Sequence, residues 1–272
     1  MKRSGDKLLA SDMDGTVIPL DKKRKRKVEI KEFNKLISQH KKVKLAYVTG
    51  RHLSLALAGV KKFNLPMPNI FICDVGTSIY FRKDNKWCLD QGYKNKLKNA
   101  WKGHDRYAIA MFLYGIDRLK EQELEKQNEF KQSYYMDLKF DKSLVIKKIK
   151  STLNVHGIKA KIIYSVDTKK KIGLIDVLPA IASKDYALEF LMKRLNLARK
   201  NIVYAGDSGN DMDAFLSGFN VIIVANTRYN IKDEVGIKAK RKGTFKKIYY
   251  STKKYVLGVI EGCYHYNIFK GG

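Results

Sequence analysis

The sequence is poor in everything that crosslinks or punctuates a chain. Its 272 residues include three cysteines, Cys73, Cys88 and Cys263, with no CxxC spacing. An odd, scattered set argues against a disulfide framework or a zinc knuckle, and leaves ordinary thiols in a reducing cytoplasm as the expectation. There are four prolines and no Pro- or Ser-rich stretch, so composition marks no linker. No run of about 18 apolar residues occurs, and no membrane-spanning helix is expected. The first twenty residues begin with charge, and their apolar stretch LLASDMDGTVIPL is cut by two aspartates, so no signal peptide is expected either. Acidic residues are scarce, 27 against 55 lysines and arginines, for a net charge of +28. Such a surplus can serve a polyanion. Here the basic residues are spread along the chain, as KKRKRK at 22–27, KKVK at 41–44, KKIK at 147–150, KKK at 169–171 and KAKRK at 238–242. No RNA-binding signature accompanies them. A solvated lysine surface, or a field that steers a small anionic substrate, accounts for the charge, and no nucleic-acid partner is expected.

Hydrophobic residues make up 44% of the chain, enough for a core. The length suits one large domain or a core carrying a smaller insertion. Short apolar runs bounded by turn signals lie at Leu8 to Ser11, Val43 to Val48, Ile70 to Val75, Ile202 to Ala205 and Val221 to Val224. They predict buried strands of a parallel sheet. Helix-length segments at 27–40, 52–64 and 184–196 alternate with them. This is the pattern of an α/β, Rossmann-like doubly wound sheet. The middle of the chain, 83–178, breaks the alternation. It carries a charged helical stretch at Glu121 to Glu129 and strand-like alternation at Ser133 to Lys139 and Ala160 to Val166. We read 1–82 and 179–272 as the core and 83–178 as an inserted α+β unit.

Four short motifs fall at element ends, where open parallel sheets bind their ligands. Asp12-Met13-Asp14-Gly15-Thr16 follows the first strand. A carboxylate there can attack phosphorus, and a second one two residues on can protonate the leaving alkoxide and then deprotonate water. Gly15 lets the loop wrap a phosphate. Thr49 and Gly50 follow the second strand; Thr49 reads equally as a phosphoryl-binding hydroxyl or as a helix N-cap. Lys184 opens a helix, where an ammonium can neutralise the nucleophile and the phosphoryl group. Gly206-Asp207-Ser208-Gly209-Asn210-Asp211 follows another strand and offers only oxygen donors. Such a set suits magnesium rather than zinc.

These motifs, with LAYVTGRH at 45–52, VGTSIY at 75–80, IDVLP at 175–179 and YVLGVIEGCYHYNIF at 255–269, resemble the haloacid dehalogenase superfamily. The insertion between the second and third motifs resembles the branch with a C2B cap, and within it the sucrose-phosphate phosphatase family. The resemblance implies roles by position. Asp12 would be nucleophile and magnesium ligand. Asp14 would be general acid/base and lend the metal its carbonyl. Thr49, Gly50 and Lys184 would bind phosphate, and Asp207 would ligate Mg2+ with Asn210 and Asp211 in support. DMDGT departs from the DLDNT common in plant and cyanobacterial members, which loosens the substrate without touching the chemistry. Sugar recognition would sit in the cap, with Lys131, Tyr134, Tyr164, Ser165 and Asp176 as candidates. Asp176 is the foremost, since an acid inside an apolar run calls for a partner. The expected function is magnesium-dependent hydrolysis of a phosphorylated sugar, sucrose-6-phosphate or a related glycosyl phosphate. Mannosyl-phosphoglycerate, glucosylglycerol-phosphate, phosphomannose or a flavin-precursor phosphate remain open as substrates, as does a non-catalytic basic binding protein.

Overall fold

The computed structural model describes residues 6–20, 27–167 and 170–270. The basic run at 22–26 and Lys169 lie outside the described residues. The chain divides into two compact units, residues 1–89 with 183–272, and residues 90–182.

The larger unit is built on an eight-stranded sheet. Its first part runs β1 (Lys7–Ser11), α1 (Lys27–Gln39), β2 (Val43–Val48), α2 (Leu53–Phe63), β3 (Ile70–Cys73), β4 (Ser78–Lys83) and β5 (Lys86–Leu89). The smaller unit follows with α3 (Gln91–Ala100), α4 (Arg106–Leu113), β6 (Lys120–Glu121), β7 (Gln132–Met136), α5 (Lys142–Val155), β8 (Ala160–Asp167) and β9 (Ile172–Pro179). The larger unit then resumes with α6 (Lys184–Arg194), β10 (Ile202–Gly206), α7 (Met212–Phe215), β11 (Asn220–Ile223), α8 (Tyr229–Arg241), β12 (Ile248–Tyr250) and α9 (Tyr255–His265).

Strand order in the large sheet is β12-β11-β10-β1-β2-β3-β4-β5. The pairs from β12 to β3 are parallel, and β4 and β5 close one edge as an antiparallel hairpin. The parallel strands read as continuous apolar runs because both faces are covered; Leu8, Leu9, Leu45, Val203 and Ile222 are fully buried. β1 lies between β10 and β2, with Ser11 opposite both Ala205 and Tyr47. The chain winds outward in both directions from this strand, so the loops after β1, β2 and β10 open at the point where such sheets hold ligands.

The sequence placed the unit boundary earlier than the fold does. Trp87 and Cys88 belong to β5, which pairs with β4 and extends the core sheet. At the other junction β9 runs to Pro179 within the smaller sheet, ordered β6-β7-β9-β8. The charged stretch at Glu121 to Glu129 is not a helix beyond a single 3-10 turn at Leu124–Lys126. It runs along the outer edge of β7, where the Gln127 amide donates to the carbonyls of Gln122 and Ser133 and accepts the Ser133 N–H. Satisfying a strand edge outweighs a weak local helix preference. All three cysteines are free; Cys73 and Cys263 pack in the hydrophobic core, where burial pushes their thiols up. No helix among the described residues is long and apolar enough to cross a membrane.

Candidate active site

Asp12 sits one residue beyond the end of β1, its N–H donating to Ala205 O at 2.8 Å. That bond ties the loop after β1 to the tip of β10. Lys184 is the first residue of α6, with Ser183 as its N-cap. Its ammonium lies 2.8 Å from Asp12 Oδ1, 2.6 Å from Asp211 Oδ1 and 3.2 Å from Asn210 Oδ1. Asp12, Lys184 and Asp211 are all buried. Burial alone would push the lysine down; the Asp12 and Asp211 carboxylates reverse this and hold it above its usual value. Burial raises the Asp12 carboxyl to about 8, with Lys184 opposing the shift and Asp211 adding to it. Asp207 is raised to about 6 by burial and by Asp211, against the Thr16 hydrogen bond.

One oxygen from each of Asp12, Asp207 and Asp211 falls within a 4.8 Å cluster. With the Lys184 ammonium against Asp12 and Asp211, these four side chains carry a formal charge of −2 when ionised. A buried, all-oxygen site with two negative charges in excess fits a hard divalent cation. The glycine beside it agrees. Gly15 has φ +84°, and a Cβ there would stand 2.2 Å from Asp207 Oδ2. Thr16 donates to Asp207 Oδ1 at 2.8 Å, which fastens the loop after β1 to the acid after β10, and Asn226, beyond β11, donates to Gly15 O at 2.7 Å.

The three carboxylates are not equivalent. Asp211 Oδ1 accepts from Lys184 and from the Tyr204 hydroxyl at 2.5 Å; Oδ2 accepts from the Asp207 and Ser208 N–H groups at 3.1 and 3.0 Å and from the Ser208 hydroxyl. A carboxylate offers about four acceptor directions, and these donors take them up. Asp12 Oδ2 and Asp207 Oδ2, by contrast, accept no hydrogen bond from the described residues. Magnesium therefore fits Asp12 and Asp207 as side-chain ligands, with Asp211 as the anchor that orients Lys184 and the 207–208 turn.

Thr49 is buried, and its hydroxyl accepts the Arg51 N–H at 3.2 Å. It is not the cap of α2; that place belongs to His52, whose side chain accepts from Leu55 N. The loop Asp74–Gly76 lies against it, Val75 N–H donating to Thr49 O. Gly50 and Asn210 are exposed. Asp14 is held by Arg51 in a two-pronged ion pair, Nε to Oδ2 at 2.7 Å and Nη2 to Oδ1 at 2.6 Å. Arg51, Thr16, Tyr204 and Asn226 also hold the site together, beyond the residues that the motifs single out. Tyr204 had a signal, since a tyrosine in a buried strand needs a partner for its hydroxyl; the others had none beyond adjacency to a motif.

In the smaller unit, Asp176 on β9 stands opposite Ser133 on β7, and the Ser133 hydroxyl donates to Asp176 Oδ1 at 2.5 Å. This is the partner that the acid in IDVLP called for. Tyr134 points the other way. It is 4% exposed, its register partner is the fully buried Ile175, and among the described residues neither its hydroxyl nor the Gln132 amide two residues before it has a hydrogen-bond partner of good geometry. Burial pushes the Tyr134 hydroxyl up. Lys131 is likewise buried. Tyr164 lies under the Lys142 ammonium, 5.1 Å from the ring centre.

An acid at the tip of a central parallel strand, a lysine on it from a later helix and an acidic turn on the neighbouring strand define the phosphatase fold of the haloacid dehalogenase superfamily, to which this chain belongs. The model of the sucrose-6F-phosphate phosphohydrolase family matches residues 5–267. The chain is a member of that family. It is 36% identical over 227 residues to a haloacid dehalogenase-like hydrolase of Nitrosococcus oceani, covering 84% of this chain and 61% of the relative. It is 29% identical to the mannosylfructose-phosphate phosphatase of Agrobacterium fabrum, over 96% of this chain and 97% of that one. Among solved structures it resembles the sucrose-phosphatase of Synechocystis in complex with sucrose and phosphate, with a TM-score of 0.77, 24% identity, and coverage of 98% of this chain and 99% of that one. It spans 59% of the length of sucrose-phosphatase 2 of Nicotiana tabacum, at 28% identity.

Proposed function

We propose that this chain hydrolyses a phosphorylated sugar through an aspartyl-phosphate at Asp12, with sucrose-6F-phosphate or a related glycosyl phosphate as substrate. The observation that carries the reading is the Asp12 carboxylate itself: buried at a strand tip, one oxygen on Lys184 and the other open. In the first step Asp12 attacks phosphorus while the bond to the sugar oxygen breaks, and protonated Asp14 gives that oxygen its proton. In the second, ionised Asp14 takes a proton from water, whose oxygen attacks the phosphoaspartate and releases inorganic phosphate and the Asp12 carboxylate. Lys184 holds Asp12 against the substrate's charge, and Thr49, already accepting the Arg51 N–H, has its O–H left to donate to a phosphoryl oxygen. Bound magnesium, held by Asp12, Asp207 and the Asp14 carbonyl, would offset negative charge on the phosphoryl group. The smaller unit selects the sugar, with Asp176 as its foremost residue.

A second substrate is favoured by one observation. The mannosylfructose-phosphate phosphatase is matched over nearly its whole length, whereas the tobacco sucrose-phosphatase is matched over three fifths. Both products are fructose-containing disaccharides, so the two readings share a chemistry. Assaying sucrose-6F-phosphate, mannosylfructose phosphate and glucose-6-phosphate with Mg2+ tests both. A disaccharide preference of about tenfold, ~1.4 kcal/mol of transition-state discrimination, supports the reading. Equal rates on all three refute the disaccharide assignment. Asp12→Asn should abolish turnover with the fold intact, and wild-type activity in that variant refutes the nucleophile.

A further inference from the structure

Asp14 is a short side chain, 40% exposed, at the mouth of a loop. Alone it would turn freely about its own bonds. The fork of Arg51 takes both of its oxygens, and the third guanidinium nitrogen, Nη1, donates to Leu55 O at 3.2 Å in the first turn of α2. The guanidinium is thus fastened on one side to a helix and on the other to Asp14. Its path runs over Gly59, one turn further along α2. A Cβ at Gly59 would lie 2.9 Å from Arg51 Nη1, and 3.4 Å from the tips of Ile18 and Met13. Gly59 has no left-handed backbone to explain it; only close approach does. A mid-helix glycine costs helix stability, and here the space it leaves is filled by the group that grips Asp14.

We infer that Arg51 is the positioning residue of Asp14, and that Gly59 is glycine to give the Arg51 guanidinium its place. The inference rests on the proposed role of Asp14 as acid/base. A planar two-pronged grip fixes both the direction and the plane of a carboxylate, which a lysine ammonium cannot do. Orientation of Asp14 matters in both steps; the second, taking a proton from water, is common to every substrate, and only the first, in which a proton must reach the leaving oxygen, differs between them. The alkoxide of a sugar needs that proton; p-nitrophenolate, a good leaving group, does not. Arg51 therefore acts on the leaving-group dependence of the rate rather than on phosphate binding.

The test compares kcat and KM of the full chain with Mg2+ on two substrates: p-nitrophenyl phosphate and the best primary-alcohol sugar phosphate from the panel above. Arg51→Lys keeps the charge and loses the fork. Gly59→Ala keeps Arg51 and Asp14 and crowds the guanidinium, while alanine is the better helix former, so the helix itself should hold. The expected result is a fall of about tenfold or more in the ratio of kcat/KM on the sugar phosphate to kcat/KM on p-nitrophenyl phosphate for Arg51→Lys, and of about threefold for Gly59→Ala, with KM for p-nitrophenyl phosphate not raised by more than about twofold. A ratio unchanged in both variants overturns the inference, and so does a parallel rise in KM on both substrates, which would make Arg51 a phosphate ligand. A wild-type chain inactive on both substrates overturns the proposed phosphatase function instead, and the positioning role with it.

Discussion

Lys184 is the group on which the buried charges of the site turn, and replacing it gives the sharpest test of the electrostatics. Its side chain is 1% exposed and meets Asp12 and Asp211, themselves 5% and 0% exposed. Lys184→Met keeps the aliphatic stem and deletes the ammonium, leaving two buried carboxylates without their cation. Removing one partner of a buried ion pair costs about 3–5 kcal/mol. For a chain of this length each kcal/mol lowers the melting temperature by ~2–4 °C, so the metal-free variant should melt about 6–20 °C below wild type at pH 8. The loss should shrink toward pH 5, because Asp12 and Asp207 already have raised pKa values and protonation removes the uncompensated charge. Saturating Mg2+ should restore more stability to the variant than it adds to wild type, without restoring turnover. The assay is a pair of thermal melts at each pH, with Mg2+ and with a chelator. A melting temperature within ~2 °C of wild type in chelator at pH 8 would mean that desolvating the ammonium costs what its ion pairs return, and the argument from the charge of the site would fall.

Three further outcomes follow from the geometry. Gly15→Ala places a methyl group against Asp207 Oδ2 at a backbone angle that alanine resists; a non-glycine residue there costs roughly 1–2 kcal/mol before the clash is counted, and Mg2+ titration should show weakened binding with at least a hundredfold loss of kcat as an order-of-magnitude expectation. In metal-free wild type, Asp12 and Asp207 have folded pKa values raised to about 8 and about 6. A raised carboxyl pKa means the folded state holds protons that the unfolded chain releases, so metal-free stability falls as pH rises from about 4 to 8, and Mg2+ affinity rises over the same window as protons cease to compete; a melting temperature that climbs with pH in chelator contradicts this sign. Asp176→Ala should raise KM for the sugar phosphate by about tenfold while leaving kcat on p-nitrophenyl phosphate within about twofold of wild type; equal changes on both substrates would assign Asp176 to the fold of the smaller unit.

The sequence determined the core sheet and where its strands end. Val43 to Val48 is apolar at nearly every position because β2 is buried on both faces, and the strand has those bounds. Where each apolar run stops, a polar turn begins, and Asp12, Thr49 and Asp207 stand at those stops. A period and a turn signal are local properties, so local reading finds them. The tertiary structure decided what these residues do to one another. Asp207 and Asp211 look alike in GDSGND, yet one keeps an oxygen open and the other is saturated by Lys184, Tyr204 and the Ser208 turn. Arg51 looks like one more base in a basic chain until α2 passes its Gly59 beneath the guanidinium. Glu121 to Glu129 reads as a helix until β7 presents an edge whose N–H and C=O groups need partners. In each case the deciding contact joins groups far apart in sequence or settles which of several donors reaches a given oxygen. Neither is written in spacing; both follow from the register of β1 against β10 and β2, which brings the ends of separate strands to one place.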